Sequence, residues 1–235
     1  LYLAAQQPAY TDIVNSTIQY ARSLPADVDS AEDVRVERAV EYLAVLFGTE
    51  IYRLTGRVST EVDVRHSFNI PETVKAALRI IELYRAQGVP SEAVRIKISA
   101  TWEGIQAGRI LEREHGISVL ITIVFGMVQA ITAAEADVTC IAPYVGRIGD
   151  WFRAQQTASS SSSSEDMGVA RVRQMQNYLR KYHHRTQVMG ASFRNAEQVK
   201  ALAGVDLLTI APSILEKLES ESSQVVPQVT TMSGK

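Results

Sequence analysis

Six times along this chain of 235 residues, a short run rich in β-branched residues alternates with a segment of helical period. Such alternation with short connections is the pattern of a parallel sheet, because parallel neighbours need a crossover and a helix is the usual one. The predicted strands are residues 58–63, 94–99, 117–125, 138–145, 187–193 and 207–210. The third is nearly continuously apolar (Val119, Leu120, Ile121, Ile123, Val124), as a strand covered on both faces would be. Helices are predicted at residues 10–23, 102–114, 127–136, 167–182 and 213–219, and from Pro71 to a stop at Gly88. Asn195 and Gln198 form a capping pair for a further helix ending near Ala203. Another, capped by Asp29 or Ser30, carries Val36, Val40, Leu43, Phe47 and Ile51 on one face and Glu37, Arg38 and Glu41 on the other.

A (β/α)₈ barrel and an open doubly wound sheet both fit this order. No glycine-rich phosphate loop follows a strand, which counts against a nucleotide-binding sheet. The polar residues of interest lie within strands or at their carboxyl ends: Glu61, Lys97, Thr122, Arg147, Ser192 and Arg194. In a barrel those ends converge on one mouth, which favours a TIM-type barrel with six recognisable strands of the eight needed to close. Residues 1–219 then form one partial barrel domain. A flexible serine loop at about 154–166 interrupts it, built around the run 159–164, and residues 220–235 are a polar tail.

A net charge of −2 implies no general attraction to nucleic acid or anionic membrane, and no apolar run reaches membrane-spanning length. One cysteine, Cys140, rules out an intrachain disulfide and suits a reducing compartment, so a cytoplasmic location is expected. Cys140 reads as a packed small hydrophobe, and Trp102 and Trp151 as packing at the barrel rim. His183-His184 is not a metal pair, because adjacent residues point different ways and no further ligands follow at a useful spacing.

Alternation puts Lys97 on one face with Arg95 and Ser99, Glu61 with Ser59 and Asp63, Thr122 with Leu120 and Val124, and Ser192 with Gly190 and Arg194. A lysine in an apolar strand is driven by desolvation toward the free amine that a Schiff-base nucleophile requires. The alternative is a lysine snorkelling from an edge strand. An amine, a carboxylate able to shuttle protons and a hydroxyl to hold water make an aldolase-type set. Arg147 and Arg194, each after a strand, suit a phosphate, since guanidinium binds phosphate bidentately; the alternative for each is a surface ion pair.

Four runs carry a resemblance to a known family: Val58-Ser59-Thr60-Glu61-Val62-Asp63-Val64-Arg65, Ile96-Lys97-Ile98-Ser99-Ala100-Thr101-Trp102-Glu103-Gly104, Ala142-Pro143-Tyr144-Val145-Gly146-Arg147-Ile148-Gly149-Asp150-Trp151 and Val188-Met189-Gly190-Ala191-Ser192-Phe193-Arg194-Asn195. In order and spacing the chain resembles the class I transaldolases of the pentose phosphate pathway. The resemblance implies a (β/α)₈ barrel that moves a dihydroxyacetone unit from a ketose phosphate such as sedoheptulose 7-phosphate to glyceraldehyde 3-phosphate. It implies no metal or organic cofactor, sugar phosphates as partners, and is compatible with a homodimer. Lys97 would form the imine, Glu61 would relay protons through a water that Thr122 helps to hold, and Arg147, Arg194 and Ser192 would bind the substrate phosphate.

The sequence also departs from the family. Its first two strands, which carry an acid/base aspartate and a substrate-binding asparagine, have no counterpart, and the C-terminal helical region is cut short. A fragment, an incomplete gene product or a degenerate paralogue is therefore expected. Leu120 stands where the family has an asparagine, and Ala142 where it has a serine. A catalytically impaired or repurposed barrel that binds a sugar phosphate or a protein partner is the alternative reading.

Overall fold

The computed structural model describes residues 2–25, 32–155, 165–222 and 225–226. The expected Asp29 or Ser30 cap, the serine run 159–164 and most of the tail lie outside the described residues. Helices α1 (Tyr2–Ala5), α2 (Thr11–Ser23) and α3 (Glu32–Thr55) precede the first strand. Six strands follow: β1 (Val58–Glu61), β2 (Val94–Ser99), β3 (Val119–Val124), β4 (Cys140–Pro143), β5 (Gln187–Gly190) and β6 (Leu207–Leu208). Between and after them come α4 (Ile70–Ala86), α5 (Trp102–His115), α6 (Met127–Glu135), α7 (Val145–Gln155), α8 (Met167–Lys181), α9 (Ala196–Ala201) and α10 (Pro212–Glu219).

Every strand pairs in parallel with the next in sequence, in the order β1 to β6. A doubly wound sheet reverses direction at a switch point; this one never does, so it is a curled wall of consecutive (β/α) units belonging to a TIM-type barrel. Its convex side is apolar. Val94, Ile96, Ile98, Val119, Ile121, Ile141 and Val188 pack there under the helices, each no more than 2% exposed. Full burial of each such side chain stabilises the fold by roughly 1.5–3 kcal/mol. The concave side holds Leu120, Cys140, Ala142 and Ala191 as a smaller cluster, with Met189 and Leu207 packed against it.

Helix starts are set by local chemistry. Asn69 accepts from Glu72 N at 3.1 Å, and Thr101 from Gly104 N at 2.9 Å, while Gly116, at φ 63°, ends α5. Asn195 Oδ1 caps α9 by accepting from Gln198 N at 2.9 Å. The Gln198 side chain does not return that bond to residue 195; its Oε1 accepts from Arg194 N instead, at 2.8 Å.

Three expectations are revised. The expected polar face of α3 is partly inside: Glu41 is 6% exposed and Val45 0%, whereas Val36, Val40 and Ile51 stand 46–55% exposed. Arg79 of α4 binds Glu41 at 2.7 Å and Glu37 at 3.2 Å, and this ion cluster turns the charged side of α3 toward its neighbour. The strand expected at 138–145 stops at Pro143, because Val145 opens α7. Third, Ile123 sits at φ 62° and shifts the register between Thr122 and Val124. This bulge reverses the alternation, so Val124 joins the convex core rather than sharing a face with Thr122.

Candidate active site

Register alone aligns the first pair. Glu61 and Lys97 are direct partners at the carboxyl ends of β1 and β2, and Lys97 Nζ lies 3.3 Å from Glu61 Oε2. Their side chains are 27% and 38% exposed, so the amine is half-buried rather than enclosed. The reason is position: β1 is an edge strand, and Glu61 sits at its open margin. On the other side of Lys97 the register partner is Leu120, 3% exposed and part of the apolar concave cluster. Arg95, two residues before Lys97, donates to Ser118 Oγ and Gln187 Oε1, both at 3.3 Å, toward the opposite end of the strands.

The turn beyond Glu61 is fixed by charge. Asp63 accepts from Arg65 N at 2.8 Å and from the Arg65 guanidinium at 2.8 Å, and these contacts hold its carboxyl below the usual carboxylate range. Ser99, at the end of β2, accepts from Ser67 Oγ at 3.0 Å, which ties this turn to the lysine strand.

Thr122 is fully buried on β3, with Ser99 on one side and Ala142 on the other. Its hydroxyl donates to Tyr144 Oη at 3.2 Å, and the Tyr144 ring meets the Phe125 ring edge-on at 5.8 Å. The strained backbone at Ile123 comes directly after this hydroxyl. A β-branched residue in the left-handed region is costly and persists only where its surroundings enforce it. Here Gln129 Nε2 bonds both Ala100 O at 2.9 Å and Ile123 O at 3.3 Å, pinning the loop. Tyr144 is not among the residues singled out from the sequence. Its position at i+2 from Ala142 and i+4 from Cys140, on the concave parity, was the signal available.

The loop after β5 packs against Gly146, the residue before Arg147. Ser192 departs from the expected alternation: at φ 58° it turns the chain out of the sheet, and its carbonyl accepts from Gly146 N at 3.1 Å. A Cβ on Gly146 would lie 2.5 Å from that carbonyl and 2.7 Å from Arg194 Cγ, so only glycine allows α7 to start here. Arg147, the next residue, is exposed and without a partner among the described residues. Arg194 Nη1 reaches Ser192 Oγ at 3.4 Å. Ser192 and Arg194 thus lie against Gly146 at the carboxyl end of the sheet, and Arg147 follows Gly146 in the first turn of α7, while the Arg194 guanidinium is paired with Asp150 at 2.6 Å, as in the ion-pair alternative. A guanidinium and a hydroxyl side by side, as Arg194 Nη1 and Ser192 Oγ are, suit an anion.

Trp102 and Trp151 are on the rim as expected but 65% and 60% exposed, so they are not packed into it. Trp151, Phe125, Met127, Ile148 and Phe152 line a cavity of about 650 Å³ together with Arg147 and Arg171. No helix among the described residues is long and apolar enough to cross a membrane.

The sequence matches the family described as Transaldolase/Fructose-6-phosphate aldolase over residues 7–233. It is 48% identical to a transaldolase of Kluyveromyces lactis over 233 residues, 99% of this chain and 68% of that protein. It is 44% identical to a probable transaldolase of Drosophila melanogaster, covering 99% of this chain and 69% of the relative. A human transaldolase is 48% identical over 225 residues, 95% of this chain and 66% of its own length. The chain thus spans about two thirds of each of these relatives.

Proposed function

Because the chain belongs to the transaldolase/fructose-6-phosphate aldolase family, we propose that Lys97 forms a Schiff base with a ketose phosphate and that a dihydroxyacetone unit is transferred from it to an aldose phosphate. The donor is sedoheptulose 7-phosphate and the acceptor glyceraldehyde 3-phosphate, giving erythrose 4-phosphate and fructose 6-phosphate. The observation that carries this reading is the 3.3 Å approach of the Lys97 amine to the Glu61 carboxylate at the carboxyl end of the sheet.

Lys97 Nζ attacks the ketone carbon and water leaves, so the carbonyl becomes a protonated imine. When the next bond out, between the α carbon C3 and the hydroxyl-bearing C4, breaks, the C4 hydroxyl gives its proton to the base and becomes the aldehyde of the departing aldose phosphate, while the electron pair of the broken bond flows into the imine and leaves an enamine. The enamine carbon then attacks the acceptor aldehyde, and water releases the product from the lysine. Glu61 passes protons to and from these steps through a water held with Thr122. Arg147, Arg194 and Ser192 take the phosphate, fixing the substrate at one end so that the carbonyl meets the amine. The chemistry takes place in a cytoplasmic setting and calls on no metal or organic cofactor.

A second reading rests on Leu120. Its isobutyl group is the register neighbour of Lys97, in an apolar patch with Cys140, Ala142 and Ala191, and it offers no hydrogen bond to an imine. A barrel that binds sugar phosphate and turns it over poorly, or not at all, would have this character. Borohydride separates the two. Protein incubated with fructose 6-phosphate and then reduced gains the mass of the sugar adduct on Lys97 under the first reading, and Lys97→Met abolishes it. Folded protein that binds the sugar phosphate but leaves Lys97 unmodified supports the second.

A further inference from the structure

Arg194 is held on two sides. Its Nε and Nη2 both donate to Asp150 Oδ2, at 3.1 and 2.6 Å, and its Nη1 faces Ser192. The other oxygen of Asp150 accepts from Arg153, one helical turn further along α7. Arg153 in turn lies 3.8 Å from Asp166, the residue that caps α8. Asp166 accepts from Gln198 Nε2 at 2.9 Å, and Gln198 Oε1 accepts from Arg194 N at 2.8 Å. The circuit leaves residue 194 through its side chain and returns to it through its backbone. It joins α7, α8 and α9 around the loop that follows β5.

The circuit has a consequence for anion binding. An arginine side chain carries rotamer entropy that a binding anion must otherwise freeze out. Asp150 occupies the Nε–Nη2 edge of the guanidinium and leaves the Nη1 side turned toward Ser192. Its own negative charge is offset by Arg153 as well as Arg194, so it does not stand as an uncompensated carboxylate beside the anion. The hydrogen bond from Arg194 keeps the Asp150 carboxyl below the usual carboxylate range, and it stays ionised at neutral pH.

We propose that Asp150 is the positioning residue of the phosphate subsite: it holds the Arg194 guanidinium in place, and so sets the affinity of the site for the phosphate end of its substrate. This rests on Arg147, Arg194 and Ser192 taking the phosphate. The ion pair itself is solvent-accessible, with side chains 38% and 44% exposed, so its contribution is read in affinity rather than in stability.

The test is calorimetric titration of the full chain with inorganic phosphate and with fructose 6-phosphate, on native protein and on three variants checked for fold by circular dichroism. Asp150→Asn weakens both ligands about tenfold, equivalent to about 1.4 kcal/mol. Asp150→Glu, which keeps the charge on a longer arm, falls between, about threefold weaker than native. Asp150→Asn binding as tightly as native, or more tightly, overturns the inference and makes Asp150 a competitor for the guanidinium. Should the Asn variant fail to fold, the Glu variant is decisive, and native affinity in it overturns the inference as well. Arg194→Lys separates the two claims. If native protein binds no phosphate, or Arg194→Lys binds it undiminished, the phosphate assignment itself falls. If Arg194→Lys weakens binding and Asp150→Asn does not, only the role of Asp150 falls.

Discussion

The hydroxyl of the buried Thr122 donates to the phenol oxygen of Tyr144 across 3.2 Å, and this bond, with that from Tyr144 N to Val124 O at 3.1 Å, joins β3 to the residue that precedes α7. Because Thr122 spends its proton on Tyr144, the phenol proton is left to point elsewhere, and Tyr144 is only half-buried. The pair can therefore present a donor to the concave side of the sheet, where the Thr122 hydroxyl alone could not. Tyr144→Phe strands the Thr122 hydroxyl, a loss of roughly 1–3 kcal/mol in a buried setting. In the proposed reaction, turnover of fructose 6-phosphate with an aldose phosphate falls about tenfold, while borohydride still labels Lys97. Coupled enzyme assay and mass spectrometry on the same variant check this. A loss of labelling in step with turnover would place the phenol in imine formation and not in the proton traffic after it.

Much of this arrangement was legible because strands and helices advertise their period. The six strands, the face shared by Arg95, Lys97 and Ser99, and the carboxyl-end location of Glu61, Lys97, Thr122, Arg147, Ser192 and Arg194 follow from alternation and order. What escaped was set by contacts between distant segments. Helix α7 carries Gly146 and Gly149 in its first turns, a composition that reads as loop; it forms because Gly146 lets Ser192 and Arg194 close in, and because a Cβ on Gly168 of α8 would fall 2.0 Å from Val145 O. The buried side of α3 was misread because Arg79, 38 residues beyond Glu41, supplies the counter-charge that draws Glu41 inward. No local pattern marks Ile123 as a left-handed residue, and without that bulge Val124 is assigned to the wrong face.

Cys140 offers a probe of the concave side. It is fully buried between Leu120 and Gln187 in register, and burial pushes its thiol up to about 12. The thiolate is the reactive form, so native protein has almost none of it at neutral or mildly alkaline pH. A disulfide-exchange reagent at about pH 8 should leave Cys140 untouched in native buffer and titrate one thiol in denaturant. The labelling rate at intermediate denaturant then reports the opening of the sheet around Leu120. Rapid labelling of folded protein would contradict the packing described.

The Asp63–Arg65 turn beyond Glu61 predicts a pH signature. The Arg65 side-chain hydrogen bond, assisted by the Arg65 backbone N–H, lowers the Asp63 carboxyl from its ordinary value. A carboxyl with a lower affinity for protons in the folded state than in the unfolded state stabilises the fold fully above the unfolded value, near 3.9. That contribution is lost as pH falls through the lowered folded value, because the unfolded chain then binds more protons. Asp63→Asn cannot titrate there. Its deficit in urea midpoint relative to native should be constant from about pH 7 to about pH 5 and narrow below about pH 4, where the native protein loses what the variant never had. Since this turn follows Glu61 directly, the variant should also loosen the Lys97–Glu61 pairing and reduce borohydride labelling at neutral pH. A deficit that stayed constant down to pH 2 would mean that Arg65 gives Asp63 no net stabilisation in the fold.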